Sequence, residues 1–349
     1  LVIYRAFQGI GAGIMLPFPA IIAGDLFSVE NRGKIQAFFT AMWGLAAVLA
    51  PMLGAFFVKY LTWRWIFYVN IPICILSFLL LLPYREVYQA KKSQVDYLGA
   101  ILFAIGVSSL LLATIVKNNL VVYIVIGAAF LLAFFLFERK APSPIVPISL
   151  MKNKPVAWMI ANSFLSCASL FGASSYIPLF LQNEGYTLFL SGVALLGMSF
   201  GWMAVAVPAG KWILRFGYRP LIIIGNIILV LSGIWFLFLK EGSGFWFVFG
   251  IMIAQGLAFG LLSTVTIIGS QQLVEPHQKG VSTSLQMFSR NIGTAIGVTL
   301  MGAFLTKASE FMIGFHNLFL YGFYVSILSL LASFFIREQK QENQLKSAQ

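Results

Sequence analysis

An all-α membrane protein is the fold class that three features of this sequence predict. Apolar residues make up 60% of the chain and charged residues only 10%, where a soluble domain carries about 25% charged residues. The apolar residues gather into eleven runs, each of the roughly 17–25 residues that cross a bilayer as a helix. Short polar connections separate the runs, and none shows the alternating polarity of a membrane β-barrel. Backbone groups in hydrocarbon need internal partners, so runs of this length are helices.

In chain order, Leu1–Gly24 sets Arg5 about twenty residues before the next charge, Asp25, roughly a bilayer core apart as helix. A guanidinium at that depth costs about 2.5–3.5 kcal/mol on insertion scales. It therefore faces a wet cavity or a neighbouring helix, unless it reaches up to the interface. Gly9, Gly11 and Gly13 on the same run permit close helix packing. Asn31-Arg32-Gly33 turns the chain into Ile35–Tyr60, and Trp63-Arg64 anchors the start of Ile66–Leu82 at the membrane edge. Leu98–Val116 offers only Ser108, Ser109 and Thr114 as polar groups, and Leu120–Phe137 only Tyr123. Helices apolar all round suit a lipid-facing periphery, so this pair reads as an insert between two bundles.

The later runs are richer in amides and hydroxyls. Val156–Leu181 carries Asn162 and Ser166, Phe245–Gly269 carries Gln255, and Val281–Thr306 carries Gln286, Arg290 and Asn291. Those five neutral residues are candidate cavity groups and Arg290 a candidate transport residue. For any single serine the simpler reading is glue between helices, at about 0.6 kcal/mol per hydrogen bond. Leu190–Trp212, Leu221–Leu239 and Leu318–Ile336 complete the set, and the tail after Ile336 is polar.

If successive connections alternate between faces, one face holds 16 lysines and arginines and the other 5, with Arg5 and Arg290 inside helices. The positive-inside rule makes the richer face cytoplasmic and puts the C-terminus there, in a multi-pass cell-membrane protein. The net charge of +12 would suit nucleic acid, but the basic residues lie in short clusters between apolar runs, so no nucleic-acid partner is expected. Cys74 and Cys167 lie within apolar runs, and His277 and His316 in or beside connections, so neither a disulfide framework nor a metal site is expected. No Gly-x4-Gly-Lys loop occurs, which argues against a nucleotide partner. The start lacks the features of a cleavable signal peptide and an initiator Met, and an N-terminal portion is expected to be absent.

Several strings resemble the major facilitator superfamily, in its fourteen-helix drug:proton antiporter branch. Arg5-x2-Gln8-Gly9-x-Gly11-Ala12 looks like the fourth-helix motif, and Asp25-Leu26-Phe27-x3-Asn31-Arg32-Gly33-Lys34 resembles the connection that follows it. Trp63-Arg64-Trp65-Ile66-Phe67-Tyr68-Val69-Asn70-Ile71-Pro72 is similar to the entry into the sixth helix, and Ser289-Arg290-Asn291-Ile292-Gly293-Thr294-Ala295-Ile296-Gly297 to the thirteenth. The antiporter motif is partial: Pro51 and Gly54 stand, with alanine at 46, 50 and 55 where the family has glycine. Gly210-x4-Arg215-Phe216-Gly217-Tyr218-Arg219 resembles the cytoplasmic gating loop, with Leu214 in place of its acid.

The resemblance implies a major-facilitator-like bundle, helices four to fourteen, with about eleven transmembrane helices present. Residues 1–84 would be the rest of the N-terminal bundle, 85–154 two extra peripheral helices and a linker, 155–337 the C-terminal bundle and 338–349 a cytoplasmic tail. It implies export of hydrophobic small molecules by alternating access, with a proton gradient as energy source and no cofactor. Arg5, Gln8 and Arg290 would serve transport and coupling, with Arg5 facing an acid of the family's first helix. All eleven carboxylates of this chain fall at or beyond helix ends, whereas proton coupling favours a carboxylate whose affinity burial or a cation shifts. A membrane enzyme would want clustered His, Asp, Glu or Cys, which the apolar runs lack, so enzymatic activity is not expected. The remaining alternative is a truncated, non-transporting member of the same family. The sequence specifies no oligomer.

Overall fold

The computed structural model describes residues 2–27, 60–83, 96–115, 119–141, 144–145, 148–307 and 310–336, with scattered positions between 31 and 57. Every regular element among them is helical. The first run is two helices, α1 (Val2–Met15) and α2 (Phe18–Leu26). Pro17 and Pro19 lie at the break, where a ring in place of N–H removes donors that an unbroken helix needs. Run Ile35–Tyr60, with Pro51, lies largely outside the described residues. Then come α3 (Trp65–Tyr68) and α4 (Asn70–Leu81), the latter with no buried residue. The antiparallel hairpin α5 (Tyr97–Ile115) and α6 (Leu120–Glu138) follows. Asp96 caps α5 by accepting from Gly99 N at 2.7 Å, and Asn119 enters α6 with φ of 62°.

After the short α7 (Ile148–Lys152), the second half holds six long segments. They are α8 (Lys154–Ser174) continued by α9 (Ile177–Asn183), α10 (Leu188–Ala194) continued by α11 (Leu196–Phe216), α12 (Tyr218–Leu237), α13 (Phe245–Gln272), α14 (Lys279–Lys307) and α15 (Phe311–Phe334). Two runs expected as single helices are therefore broken, before Pro178 and at Leu195. The last begins earlier than its apolar content suggests. Gly314, His316 and Asn317 interrupt the pattern at its start, but Phe315 is buried against Phe180 at 5.5 Å. His316 thus lies inside α15, exposed, rather than in a connection. Among the described residues, six segments are long and apolar enough to cross a membrane by length and composition, and three shorter apolar helices join them. α14 is long enough too, but its polar residues dilute its hydropathy.

Within the second half, the most extensive packing joins α11 to α13 and α8 to α14; α12 with α13, α8 with α15, and α12 with α15 come next. Exchanging α8 with α13, α11 with α14 and α12 with α15 maps this pattern onto itself. Because α8 and α13 run in opposite directions, the two triplets form an inverted repeat. Both main crossings run over glycine. A Cβ on Gly256 would stand 2.1 Å from Met198 O and one on Gly201 2.2 Å from Ile253 O. On the other crossing, Gly293 faces Phe164 O and Gly297 faces Ala168 O, at 2.3 and 2.1 Å. In lipid, where apolar burial between helices gains little, such backbone contact is what holds helices together.

The α5–α6 hairpin rests on this bundle through α14, with Phe103 5.1 Å from Phe288. Only 11% of α6 is buried, as a peripheral hairpin requires. α2 also packs on α14. Gly256→Ala and Gly297→Ala should each force a crossing apart and cost about 1–3 kcal/mol, the usual penalty of overpacking. Thermal melts of the detergent-solubilised protein check this, and an unshifted transition would show that neither crossing is as tight as described.

Candidate functional site

Midway along the bundle, α8, α11, α13 and α14 bring an arginine into an aromatic cluster. Arg290 Cζ stands 4.9 Å from the centre of the Phe259 ring, and its guanidinium lies beside Cys167. Phe259 in turn meets Trp202 at 4.8 Å and Phe171 at 5.0 Å, both edge to face. The glycines set this arrangement. Trp202 follows Gly201, Phe259 precedes Gly260, and Arg290 lies one turn before Gly293, so each projects from a close crossing. Arg290 is partly exposed while Phe259 is buried. A cation on a π face gains about 0.5–2 kcal/mol, most where water is excluded.

The polar candidates divide into two groups. Asn162 is fully buried between α8, α12 and α15. It donates through Nδ2 to Ser329 O at 2.8 Å and lies 3.4 Å from Asn226 Nδ2, while Ser329 Oγ donates to Asn226 Oδ1 at 2.6 Å. This closed triad ties three helices together and leaves Asn162 away from any open surface. Gln286 is also buried, accepting from Ser163 Oγ at 2.7 Å, with Thr266 Oγ1 3.3 Å from the same hydroxyl. Among the described residues its Nε2 has no partner, nor have Gln255 Oε1, Ser263 Oγ, Thr264 Oγ1 and Trp202 Nε1. Ser166 turns back to Ser163 O at 3.3 Å, and Asn291 is exposed. Thus Gln286 and Gln255 lie one turn from Arg290 and Phe259 respectively, and Asn162 belongs to a different interface.

The other candidates stand apart from this cluster. Arg5 and Gln8 lie on α1, three residues apart and so on one face; Gln8 is exposed, and the Arg5 side chain lies outside the described residues. A Cβ on Gly9, Gly11, Gly13 or Gly54 would meet nothing within 4 Å among the described residues. Of the four residues read as a gating loop, Gly210 and Arg215 lie within α11 and Arg219 within α12, because the helices run on to a one-residue turn. Gly210 is buried, and the turn itself, Gly217, takes φ of 79°. That left-handed value is one a side chain resists, which explains glycine at this sharp turn. Arg215 Cζ is 5.2 Å from the Phe216 ring, and Arg219 Nη2 reaches Phe334 O at the end of α15 at 3.5 Å.

Beside the packing of α2 on α14, a polar contact joins the two halves among the described residues. Gln271, near the end of α13, donates through Nε2 to Thr283 Oγ1 at 2.8 Å and approaches Ala20 O of α2 at 3.4 Å. It lies on the face whose connections carry Arg219 and Lys279.

Sequence reasoning missed Asn226, Ser329, Trp202, Phe259 and Gln271. Asn226 had a signal, an amide in an otherwise apolar run. Phe259 had none among 34 phenylalanines.

Replacing Asn226 with alanine should leave Ser329 and Asn162 underpaired and cost about 1–2 kcal/mol, read as a lower melting temperature. Gln271→Leu should loosen the contact between the halves, so that a cysteine placed at Ile21 reacts about two- to tenfold faster with a water-soluble maleimide, as loss of one hydrogen bond allows. Unchanged labelling would show that this contact does not hold the halves together.

Comparison with known proteins follows the same lines. The chain is 30% identical over 324 residues to the multidrug transporter protein MdtP of Bacillus subtilis, covering 88% of this chain and 59% of that protein. It is 31% identical over 322 residues to multidrug resistance protein 3 of the same organism, with 88% and 62% covered. With the multidrug efflux pump SdrM of Staphylococcus aureus it shares 26% identity over 353 residues, 98% of this chain and 78% of the pump. The chain thus spans about three fifths of the length of the two Bacillus relatives. The model of the Major Facilitator Superfamily matches residues 1–207 and 195–349. With that match running from end to end over an inverted helical repeat, the chain belongs to the Major Facilitator Superfamily.

Proposed function

We propose that this chain acts in a secondary transporter that exports hydrophobic drugs or toxic compounds by alternating access, driven by proton exchange. The observation that carries the reading is the likeness to multidrug transporters along nearly the whole chain. The cluster around Phe259 supports it, since transporters of inverted-repeat design bind solute near the bilayer midplane at the repeat interface. Aromatic walls with few polar groups suit bulky apolar solutes, held by area more than by fixed geometry. The rocking unit would be the second-half bundle, moving against the helices before α5. The 16-to-5 distribution of basic residues supports a cytoplasmic side for the Gln271 contact and the C-terminus. The energy source would be the proton gradient. Arg5 is the proposed coupling cation with Gln8 beside it, and a proton-carrying acid would face it, since no carboxylate of this chain lies within a helix core.

The test is dye efflux from cells producing the protein, with and without an ionophore that collapses the proton gradient. Loss of efflux with the ionophore is expected, and efflux that survives it would sink proton exchange. Arg5→Ala should abolish export while leaving membrane insertion intact, and Arg290→Ala should weaken it less. Undiminished efflux by the Arg5 variant would remove that residue from the mechanism. Vesicles holding only the 349-residue chain should show no pH-driven uptake; uptake there would show that coupling needs no further acid.

A further inference from the structure

We propose that Arg290 and Trp202 form a donor-only subsite around Phe259 that selects aromatic solutes bearing an anionic group and disfavours lipophilic cations. The proposal rests on the exporter reading above, which supplies the reason for a solute to reach this depth.

Three observations carry it. First, Arg290 is a permanent cation midway along the bundle, and no carboxylate among the described residues lies within ion-pair distance of it. The described acidic side chains, from Asp96 to Glu310, sit at helix ends or in connections. Its compensation there is the Phe259 ring and the Cys167 sulfur. A guanidinium offers five N–H donors in a planar fork, and neither neighbour takes up that fork as an oxyanion does. Arg290 is itself only partly buried.

Second, the unpaired groups nearby lean the same way. Trp202 Nε1 is a donor only, and it is buried with no partner on the ring that packs edge to face on Phe259. Gln286 Nε2, one turn before Arg290, is a further buried atom with no partner among the described residues, on an amide that can present either end. The Ser263 and Thr264 hydroxyls, likewise unpaired there, can donate or accept. Gln255 Oε1 is the contrary case, an unpaired acceptor, yet it is neutral and its amide can present either end. Among the described residues, fixed negative charge is therefore lacking around the cluster, while fixed positive charge is present.

Third, the aromatic geometry fits a flat solute and not a cation. Phe171, Trp202 and Phe259 present apolar walls. The π face that would attract an ammonium group is already held by Arg290. A second cation would stand beside a guanidinium in a medium of low dielectric, where like charges repel far more strongly than in water.

The experiment uses two probes that share one ring system, 1-pyrenebutyrate and pyrenebutyltrimethylammonium. Each is titrated onto the 349-residue chain in lipid nanodiscs, with energy transfer from tryptophan to pyrene as the readout and empty nanodiscs subtracted. The anion should bind about tenfold more tightly than the cation or better, the scale of a charged hydrogen bond. Arg290→Gln should bring the two within about twofold by removing that bond, and Arg290→Lys should keep most of the preference. Equal binding, a preference for the cation, no saturable binding of either probe, or a preference unchanged in Arg290→Gln would each overturn the proposal. Should Arg290→Gln fail to fold, the wild-type preference and Arg290→Lys still decide it. Cell efflux separates the two readings. Anion preference without export leaves the subsite standing and removes the exporter, whereas export indifferent to charge removes the subsite alone.

Discussion

Two glycine crossings bear the architecture of the second half, because a bilayer denies helices the hydrophobic drive that assembles a soluble core. Lipid tails are as apolar as leucine, so helices gain by close backbone contact and by the few polar groups that join them. Gly201 and Gly256 bring α11 onto α13, and Gly293 and Gly297 bring α14 onto α8. Trp202, Phe259 and Arg290 project from these crossings, so the cluster they form inherits its precision from contacts that lack side chains altogether.

The polar groups of the bundle serve two purposes, distinguishable by whether their hydrogen bonds close. Asn162, Asn226 and Ser329 satisfy one another between three helices and are fully buried. Such a closed network fixes which helices meet and offers nothing to a ligand. Around Phe259 the accounts do not close: Trp202, Gln286 and Gln255 each keep an unpaired atom, and Arg290 rests on a ring rather than on an acid. Unmet polar atoms in an apolar interior are costly, and midway along the bundle they gather beside the cluster that also holds a cation.

The helices also differ in how they end. α8 hands over to the short α9 at Ser175–Tyr176 and the short α10 to α11 at Leu195, whereas α13 and α14 run unbroken to the basic face. There Gln271 joins the halves through Ala20 and Thr283. Long straight levers with a polar contact at one end suit a bundle that rocks as a body.

Composition and run length alone fixed that the chain is helical and membrane-spanning, since backbone groups in hydrocarbon have no other way to be satisfied. Residue patterns also marked Arg290 as unusual, because a lone cation within an apolar run is legible from polarity along one chain. Where Asn162 points was beyond them. An amide in an apolar helix must find partners, yet the sequence does not say whether these are water in a cavity or Asn226 and Ser329, 64 and 167 residues away. Likewise only the packed helices single out Phe259 among the 34 phenylalanines, since its role comes from the cation and the rings that three other helices bring to it.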